Sequence, residues 1–400
     1  LNFFYPVHYG EEIKAGEGVT VRFRDAGHIL GSAILEVWLK EDAQQIKMVF
    51  SGDLGQTDQP IIRDPALIET ADYLVLESTY GNRFHIDHGD RVELLAQAVN
   101  ETAATHGKLI IPSFAVGRAQ DLLYHLKLLR LAGEIPDFPV YIDSPMAVSA
   151  TETFRRNSQY FDEETYQLLR QGESPFEFPG LNFVRTAEES KALNQTEGEQ
   201  IIISASGMCE AGRILHHLRH NLWRPEAHIL FVGYQAEGTL GRRILDGARA
   251  VKIFGEEIIV RAKIHQIQGF SAHADQTGLI NWLQRFVAKP KAVFLVHGDE
   301  DVFPEWEAVI HKELKLPTIV PQMGQSFDLS NTIIAEESPT LKKDDREILR
   351  HTLHLLDEEY LDLRGRLREK AGSITLEEQQ DLDELTKELK RINDLMRQIV

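Results

Sequence analysis

One cysteine, Cys209, in 400 residues leaves no room for a disulfide framework or a thiolate zinc site. The expectation is a reducing, cytoplasmic setting. The longest apolar runs, such as residues 109–111 and 201–203, are strand-sized and far short of the ~20 residues that a membrane span requires. No membrane association is expected, and no stretch reads as a signal peptide. Internal repeats and low-complexity segments are also lacking. So is any surplus of positive charge: the formal net charge is −19, which by itself argues against a phosphate-rich partner. The deficit is uneven, however. Residues 201–270 hold nine Lys/Arg against six Asp/Glu, so a local basic stripe on an acidic body stays open beside the plainer reading of arginines paired with nearby acids.

What is present is an alternation of short strands and helices. Residues 19–23, 34–39, 46–50 and 73–76 read as strands, the last two ending at Asp53 and Glu77. Residues 109–112, 140–142, 201–203 and 228–232 repeat the pattern and run into polar turns at Ser113, at Asp143-Ser144-Pro145 and at 204–207. A helical spacing of leucines covers 117–130. Strand, turn, helix, strand is the mark of a mostly parallel α/β layer, which places its chemistry at the carboxyl ends of the strands. Further on, 264–267 alternates, Asp275 is placed to cap a helix over 277–287, and the strand 293–296 delivers His297. From about residue 340 the character changes. Leu349, Leu353, Leu356, Leu363 and Leu367 recur at helical spacing, 371–373 break the run, and Thr375 with Glu378 forms a capping box before a second apolar stripe. The expectation is an antiparallel helical hairpin, residues 340–400, that packs on the body or mediates a homodimer. With 12 Lys/Arg against 15 Asp/Glu in residues 341–400, it has no basic surplus for holding a phosphate-rich partner.

Four strand-end groups carry the chemistry: His28, Asp53, His273 and His297. Each has a glycine nearby, or a tight turn, that lets the backbone bend and leaves room for a ligand. Imidazole and carboxylate are the usual donors to catalytic zinc. These residues sit in segments that resemble a known family. The segments at 27–33 (GHILGSA) and 50–55 (FSGDLG) are similar to metal motifs of the metallo-β-lactamase superfamily. Those at 76–83 (LESTYGNR), 269–275 (GFSAHAD) and 296–299 (VHGD) resemble the three motifs of its β-CASP nuclease branch. The segments at 111–123, 141–147 and 205–218 add to the likeness, closest to the cleavage-factor type, over about residues 1–330.

The resemblance implies an αββα metallo-β-lactamase sandwich lacking its first strands. Residues 1–81 would form its first part and 263–335 its return segment. An α/β β-CASP domain, residues 82–262, would be inserted between them, and the helical hairpin would follow. It implies a zinc-dependent ribonuclease with two zinc ions per intact site, RNA as partner, and 5′-phosphate and 3′-hydroxyl products. By that likeness His28, Asp53 and His297 are metal ligands, with Asp53 bridging. Glu77 orients His273, the general acid for the departing 3′ oxygen; an imidazole suits that task because its ordinary pKa lies near neutrality. Ser113, Arg118, Ser206, Gly207, Arg213 and His217 are candidates for holding substrate, since backbone amides at helix starts suit phosphate oxygens. The alternative for each arginine is an ordinary salt bridge. His216 and His217 are adjacent in a helix and point about 100° apart, so only one can serve a cleft.

The superfamily's His-x-His-x-Asp-His motif is missing from the chain. The expectation is that the chain represents part of a longer protein and is inactive alone, because part of its metal site is missing. The rival reading is a catalytically inactive scaffold that binds RNA or a partner subunit. DNA as substrate is disfavoured by His297, at a position where the DNA-repair branch often lacks histidine.

Overall fold

A computed structural model describes residues 4–42, 44–85, 88–329 and 335–336. The helical hairpin expected over 340–400, with its capping box, lies outside the described residues. The chain first lays down five strands: β1 (Glu12–Gly16), β2 (Val19–Asp25), β3 (Ala33–Glu41), β4 (Gln44–Phe50) and β5 (Tyr73–Glu77). The segment that follows runs α1 (His88–Ala104), β6 (Lys108–Pro112), α2 (Arg118–Leu131), β7 (Val140–Ile142), α3 (Pro145–Arg156), α4 (Glu163–Arg170) and β8 (Leu181–Phe183). It continues with α5 (Ala187–Gln195), β9 (Gln200–Ser204), α6 (Ile214–Asn221), β10 (His228–Phe231), α7 (Leu240–Leu245), the hairpin β11 (Ala250–Ile253) and β12 (Glu256–Ile259), and β13 (Lys263–Gln266). The chain then adds α8 (Gln276–Leu283), β14 (Ala292–Val296), α9 (Val302–Leu314) and β15 (Thr318–Ile319).

Two sheets result. The first has the order β1-β2-β3-β4-β5-β14-β15. β1 to β4 are antiparallel neighbours, whereas β4, β5, β14 and β15 run parallel. Ile34, Val49, Leu74, Leu76, Val293 and Leu295 point from one face into a core closed by Leu279, Trp282 and Leu283 of α8 and by Val302, Trp306 and Ile310 of α9. Glu36 lies on the same face of β3 and is buried. Arg22 and Lys47 approach its carboxylate to 2.7 and 2.6 Å, and their hydrogen bonds outweigh the burial that would raise its pKa, holding it below its ordinary value. The other face of β2–β4 carries Val21, Phe23, Leu35, Val37, Met48 and Phe50, none of them buried. Within the expected αββα sandwich this sheet with α8 and α9 is one β layer and its helical cover.

The second sheet, β13-β10-β6-β9-β7-β8, is parallel throughout. Its central strands are continuous apolar runs because both faces are covered. Leu109, Ile111, Ile201 and Ile203 face a core with Leu122, Leu126 and Phe154. Ile110 and Ile202 face the opposite core with Ile214, Leu218 and Ile244. One segment lies differently from the expectation. Residues 263–266, placed at the start of the return segment, pair with β10 and form an edge of this second sheet, so the chain crosses back to the first sheet only after Gln266. Beyond Pro321 a second unit begins, whose described residues, 322–329 and 335–336, include an antiparallel pair, Ser326–Phe327 with Ala335–Glu336. No helix among the described residues is long and apolar enough to cross a membrane.

Candidate metal centre and acid–base pair

Strand register brings the site together. Phe50 of β4 is level with Val75 of β5, and Glu77 of β5 with Val296 of β14. The residues just past β4 and β14 and the last residue of β5 therefore share one edge of the sheet. β2 ends at that same edge, at Asp25. Here the chain makes a tight turn: Asp25 Oδ1 accepts from the Gly27 amide at 2.9 Å, and Ser32 Oγ accepts from the amides of His28 and Ile29 at 3.1 and 3.3 Å. Gly55 donates its amide to the Ala26 carbonyl at 2.8 Å, so closely that a Cβ at Gly55 would sit 1.7 Å from the Gly27 oxygen. The same loop is zipped to the segment around His273 by hydrogen bonds from Gln56 N to Ala272 O at 3.0 Å and from Ala274 N to Leu54 O at 2.7 Å.

Asp53 is the meeting point. His28 Nε2 lies 3.9 Å from Asp53 Oδ2, and His297 Nδ1 lies 3.3 Å from Asp53 Oδ1, closing sequence separations of 25 and 244 residues. The His28 and His273 rings are 4.3 Å apart between centroids, and those of His273 and His297 5.8 Å. Donor atoms of His28, Asp53 and His273 all lie within 4.8 Å of one another, as do those of Asp53, Glu77 and His297. Two imidazoles flanking a half-exposed carboxylate are the donor chemistry of zinc. Burial, and next the neighbouring His273, push the His28 pKa down to about 4 against the pull of Asp53 and Glu77. A neutral imidazole is the form in which histidine binds a metal ion. His297 is held at a positive φ of 53°, a conformation that costs a non-glycine residue about 1–3 kcal/mol and gathers at functional sites. Thr79, which sequence reasoning missed, braces it with its hydroxyl 3.2 Å from His297 Nδ1.

His273 is placed differently. Its Nδ1 faces both oxygens of Glu77, at 3.2 and 3.0 Å. Glu77 is buried and fixed in turn, accepting from the Leu54 amide at 2.5 Å. An Nδ1–H donated to Glu77 leaves Nε2 as the working nitrogen. His85, also missed, donates from Nε2 to the His273 carbonyl at 2.9 Å and from its amide to Asp275 at 3.0 Å. Its ring packs edge-on against Tyr80, which in turn lies 6.1 Å from His273. A lone histidine between two loops carries no sequence signal for this role; only the fold shows it. Asp275 caps α8, as its position before that helix predicts.

The expected substrate contacts divide. Arg118 lies beside the His28 turn and donates to the Val232 carbonyl. Burial lowers its pKa to about 10, which still leaves it cationic at neutral pH. The Ser113 hydroxyl donates to the Phe114 carbonyl at 3.0 Å, and Ser206 Oγ accepts from the amides of Glu210 and Ala211 at 3.1 and 3.3 Å, so both hydroxyls close their own turns. Gly207 is buried against the half-exposed ring of Phe114. Arg213 and His217 converge elsewhere, on the buried Asp143. Arg213 Nη1 lies 2.6 Å from Oδ1, His217 Nε2 2.6 Å from Oδ2, and Ser190 Oγ donates to Oδ2 at 2.5 Å. Burial alone would raise the Asp143 carboxyl, but those three hydrogen bonds outweigh it and hold it below its ordinary value. His217 is fully buried, whereas its neighbour His216 packs on Phe254. These two substrate candidates therefore both engage an internal carboxylate.

Comparison with known proteins bears on the family to which the chain belongs. Residues 119–244 match the Beta-Casp domain, and residues 257–321 match the Zn-dependent metallo-hydrolase RNA specificity domain. The chain is 40% identical over 330 residues to Ribonuclease TTHA0252 of Thermus thermophilus, covering 82% of this chain and 72% of that protein. It is 32% identical over 321 residues to an RNase J-like protein of Methanocaldococcus jannaschii, 80% of this chain and 73% of that one. A third relative, the transcription termination factor FttA of Methanothermobacter thermautotrophicus, is 33% identical over 326 residues, and the chain spans 50% of its length.

Proposed function

The chain belongs to the β-CASP family of metallo-β-lactamase-fold nucleases, and on that premise we propose that it carries the acid–base pair and three metal ligands of a zinc-dependent ribonuclease leaving 5′-phosphate and 3′-hydroxyl ends. The observation that supports this reading is the meeting of His28 and His297 at the Asp53 carboxylate, with the His273–Glu77 pair alongside. Zinc held by these donors supplies positive charge for the phosphate oxygens and for water activation. The remaining work falls to the chain's own residues. Glu77 fixes the tautomer and aim of His273, whose Nε2 gives its proton to the departing 3′ oxygen. Arg118, at the start of α2, supplies charge beside the His28 turn for a flanking phosphate. The tight turns at Gly27 and Gly55 hold donor positions against drift. Three protein donors do not fill the coordination of two zinc ions at about four ligands each, so full turnover needs further donors. An inactive scaffold would have no use for a carboxylate so firmly braced against His273.

The test is cleavage of a short labelled RNA by protein carrying its complete ligand set, with analysis of product ends. The expected products carry 3′ ends that a polymerase extends directly and 5′ ends that resist a kinase until dephosphorylated. Products bearing 2′,3′-cyclic phosphate would overturn the assignment, because His273 would then not be protonating a 3′ oxygen leaving group.

A further inference from the structure

At the far edge of the second sheet, a second group of metal-type donors lies apart from Asp53. His228 opens β10 and is level with Leu109 of β6, at the amino-terminal end of the strands. The catalytic-side turns at Ser113 and Ser206 follow the other end. His265 lies on β13 two residues past Lys263, the register partner of His228, so both imidazoles emerge on one face. Glu101 comes from the last turns of α1. Among these residues His228 Nδ1 is 2.8 Å from His265 Nε2, and Glu101 Oε2 is 3.9 Å from His265 Nε2. One donor atom from each lies within 4.8 Å of the others. We propose that Glu101, His228 and His265 form a structural site for zinc or a similar borderline divalent cation, clamping α1 to the β10–β13 edge.

The hydrogen bonds around His228 set the tautomer the site needs. Thr105 Oγ1 lies 3.0 Å from the carbonyls of both Thr102 and Glu226, so its proton is given to a carbonyl. Its oxygen is then left to accept from His228 Nε2, at 3.1 Å. Nε2 therefore carries the hydrogen, and Nδ1 presents a lone pair toward His265 and Glu101. A ligating histidine whose other nitrogen donates to a fixed acceptor is the usual outer-shell arrangement of a zinc site. Burial, and next the mutual proximity of the rings, push His228 down to about 4, and burial lowers His265. Without metal the Nδ1 lone pair is filled by His265 Nε2–H. Cation entry requires His265 to shift that hydrogen to its other nitrogen, a tautomer exchange with no net proton change. It also requires the two nitrogens to part by roughly half an ångström, since bonds of ~2.0–2.1 Å at tetrahedral angles separate them by ~3.3 Å. Lys263, at 2.5 Å from Glu101 Oε2, must swing away, and its more than half-exposed side chain is free to do so.

The experiment uses the chain with Asp53→Asn and His297→Asn, stripped by chelator and titrated with zinc by calorimetry, with metal content checked by mass spectrometry. One equivalent bound at Glu101–His228–His265 is expected, together with a zinc-dependent rise in Tm. Adding His265→Gln, at a position that is not fully buried, should remove that equivalent and the Tm rise; Glu101→Gln provides a second, more exposed variant that should weaken binding at least tenfold. An unchanged zinc count and an unchanged Tm response in both variants would overturn the proposal, leaving a hydrogen-bonded histidine pair. These readouts are independent of RNA cleavage, so their outcome does not bear on the catalytic reading.

Discussion

Replacing His217 by alanine separates a structural role from a substrate-binding one. The wild-type ring is fully buried between Asp143 Oδ2 at 2.6 Å and Asn194 Oδ1 at 3.0 Å. Its removal leaves Asp143 with two of its three side-chain donors, Ser190 and Arg213, and leaves the buried Asn194 without its imidazole partner. Removing one partner of a buried, charge-assisted pair costs about 3–5 kcal/mol. Because two donors remain, the lower end applies, ~3 kcal/mol, which at about 2–4 °C per kcal/mol predicts a fall in Tm of roughly 6–12 °C. The pH dependence follows from Asp143. Its folded pKa lies below the unfolded value of about 3.9. Its stabilising contribution is therefore complete above that unfolded value and is lost as pH falls through the lower folded one. His217→Ala weakens the depression, so the variant gains less stability between those two values and the wild-type advantage shrinks in acid. The assays are thermal melts from pH 3 to 7 and binding of a short RNA by fluorescence anisotropy. The expected result is a lowered Tm with RNA affinity within about twofold of wild type, compared where both proteins are folded. An unchanged Tm with RNA binding weakened several-fold would refute the reasoning and return His217 to the substrate path.

Three further outcomes follow from the catalytic edge. In protein carrying its complete ligand set, His273→Ala should lower turnover by ~10²–10⁴-fold while leaving zinc content nearly unchanged; loss of stoichiometric zinc on metal analysis would make His273 a ligand instead. Asp53→Asn should cut zinc retention during dialysis, since both His28 and His297 meet at that carboxylate; full retention would place the ion elsewhere. Gly55→Ala should destabilise by about 1–3 kcal/mol or more and weaken zinc binding, because a Cβ there meets the Gly27 carbonyl at 1.7 Å and the His28 amide at 2.8 Å; a variant matching wild type in both urea melts and zinc titration would show that the turn absorbs the methyl group without moving His28.

The catalytic edge was legible because each donor follows a strand and lies in a tight turn. The reading of 46–50 and 73–76 as strands differs from the observed β4 and β5 by only a residue or two, and that suffices to put Asp53 and Glu77 at strand ends. Short strands such as β1 and β8 went unread, since neither carries a buried alternating pattern. The sheet membership of β13 was equally hidden. Its alternation shows that one face is covered but not which neighbour it pairs with, and pairing with β10 is a tertiary choice. Arg213 and His217 show a different limit. An arginine at a helix start looks the same in sequence whether it meets a phosphate or a buried carboxylate 70 residues earlier. Asp143 decided the matter, because a carboxylate with no exposed surface must gather its own donors.

The same physics explains why the candidate metal donors and the proposed acid–base pair occupy one strand edge without merging. Parallel pairing of β4, β5 and β14 sets the three strand ends side by side, one hydrogen-bonded spacing apart. The turns after them then set the depth. Glu77 is still within β5 and stays buried, so it can only hold a neighbour, and it holds His273. Asp53 lies three residues beyond β4, past the positive-φ turn at Gly52, and emerges half exposed where an ion can reach it. His297 lies one residue beyond β14 and is turned outward by its own left-handed backbone, with Thr79 keeping the ring in place. Two carboxylates on one edge thus differ in depth: the buried Glu77 faces His273, and the half-exposed Asp53 lies between His28 and His297, the division that the proposed proton-transfer and metal-binding roles require.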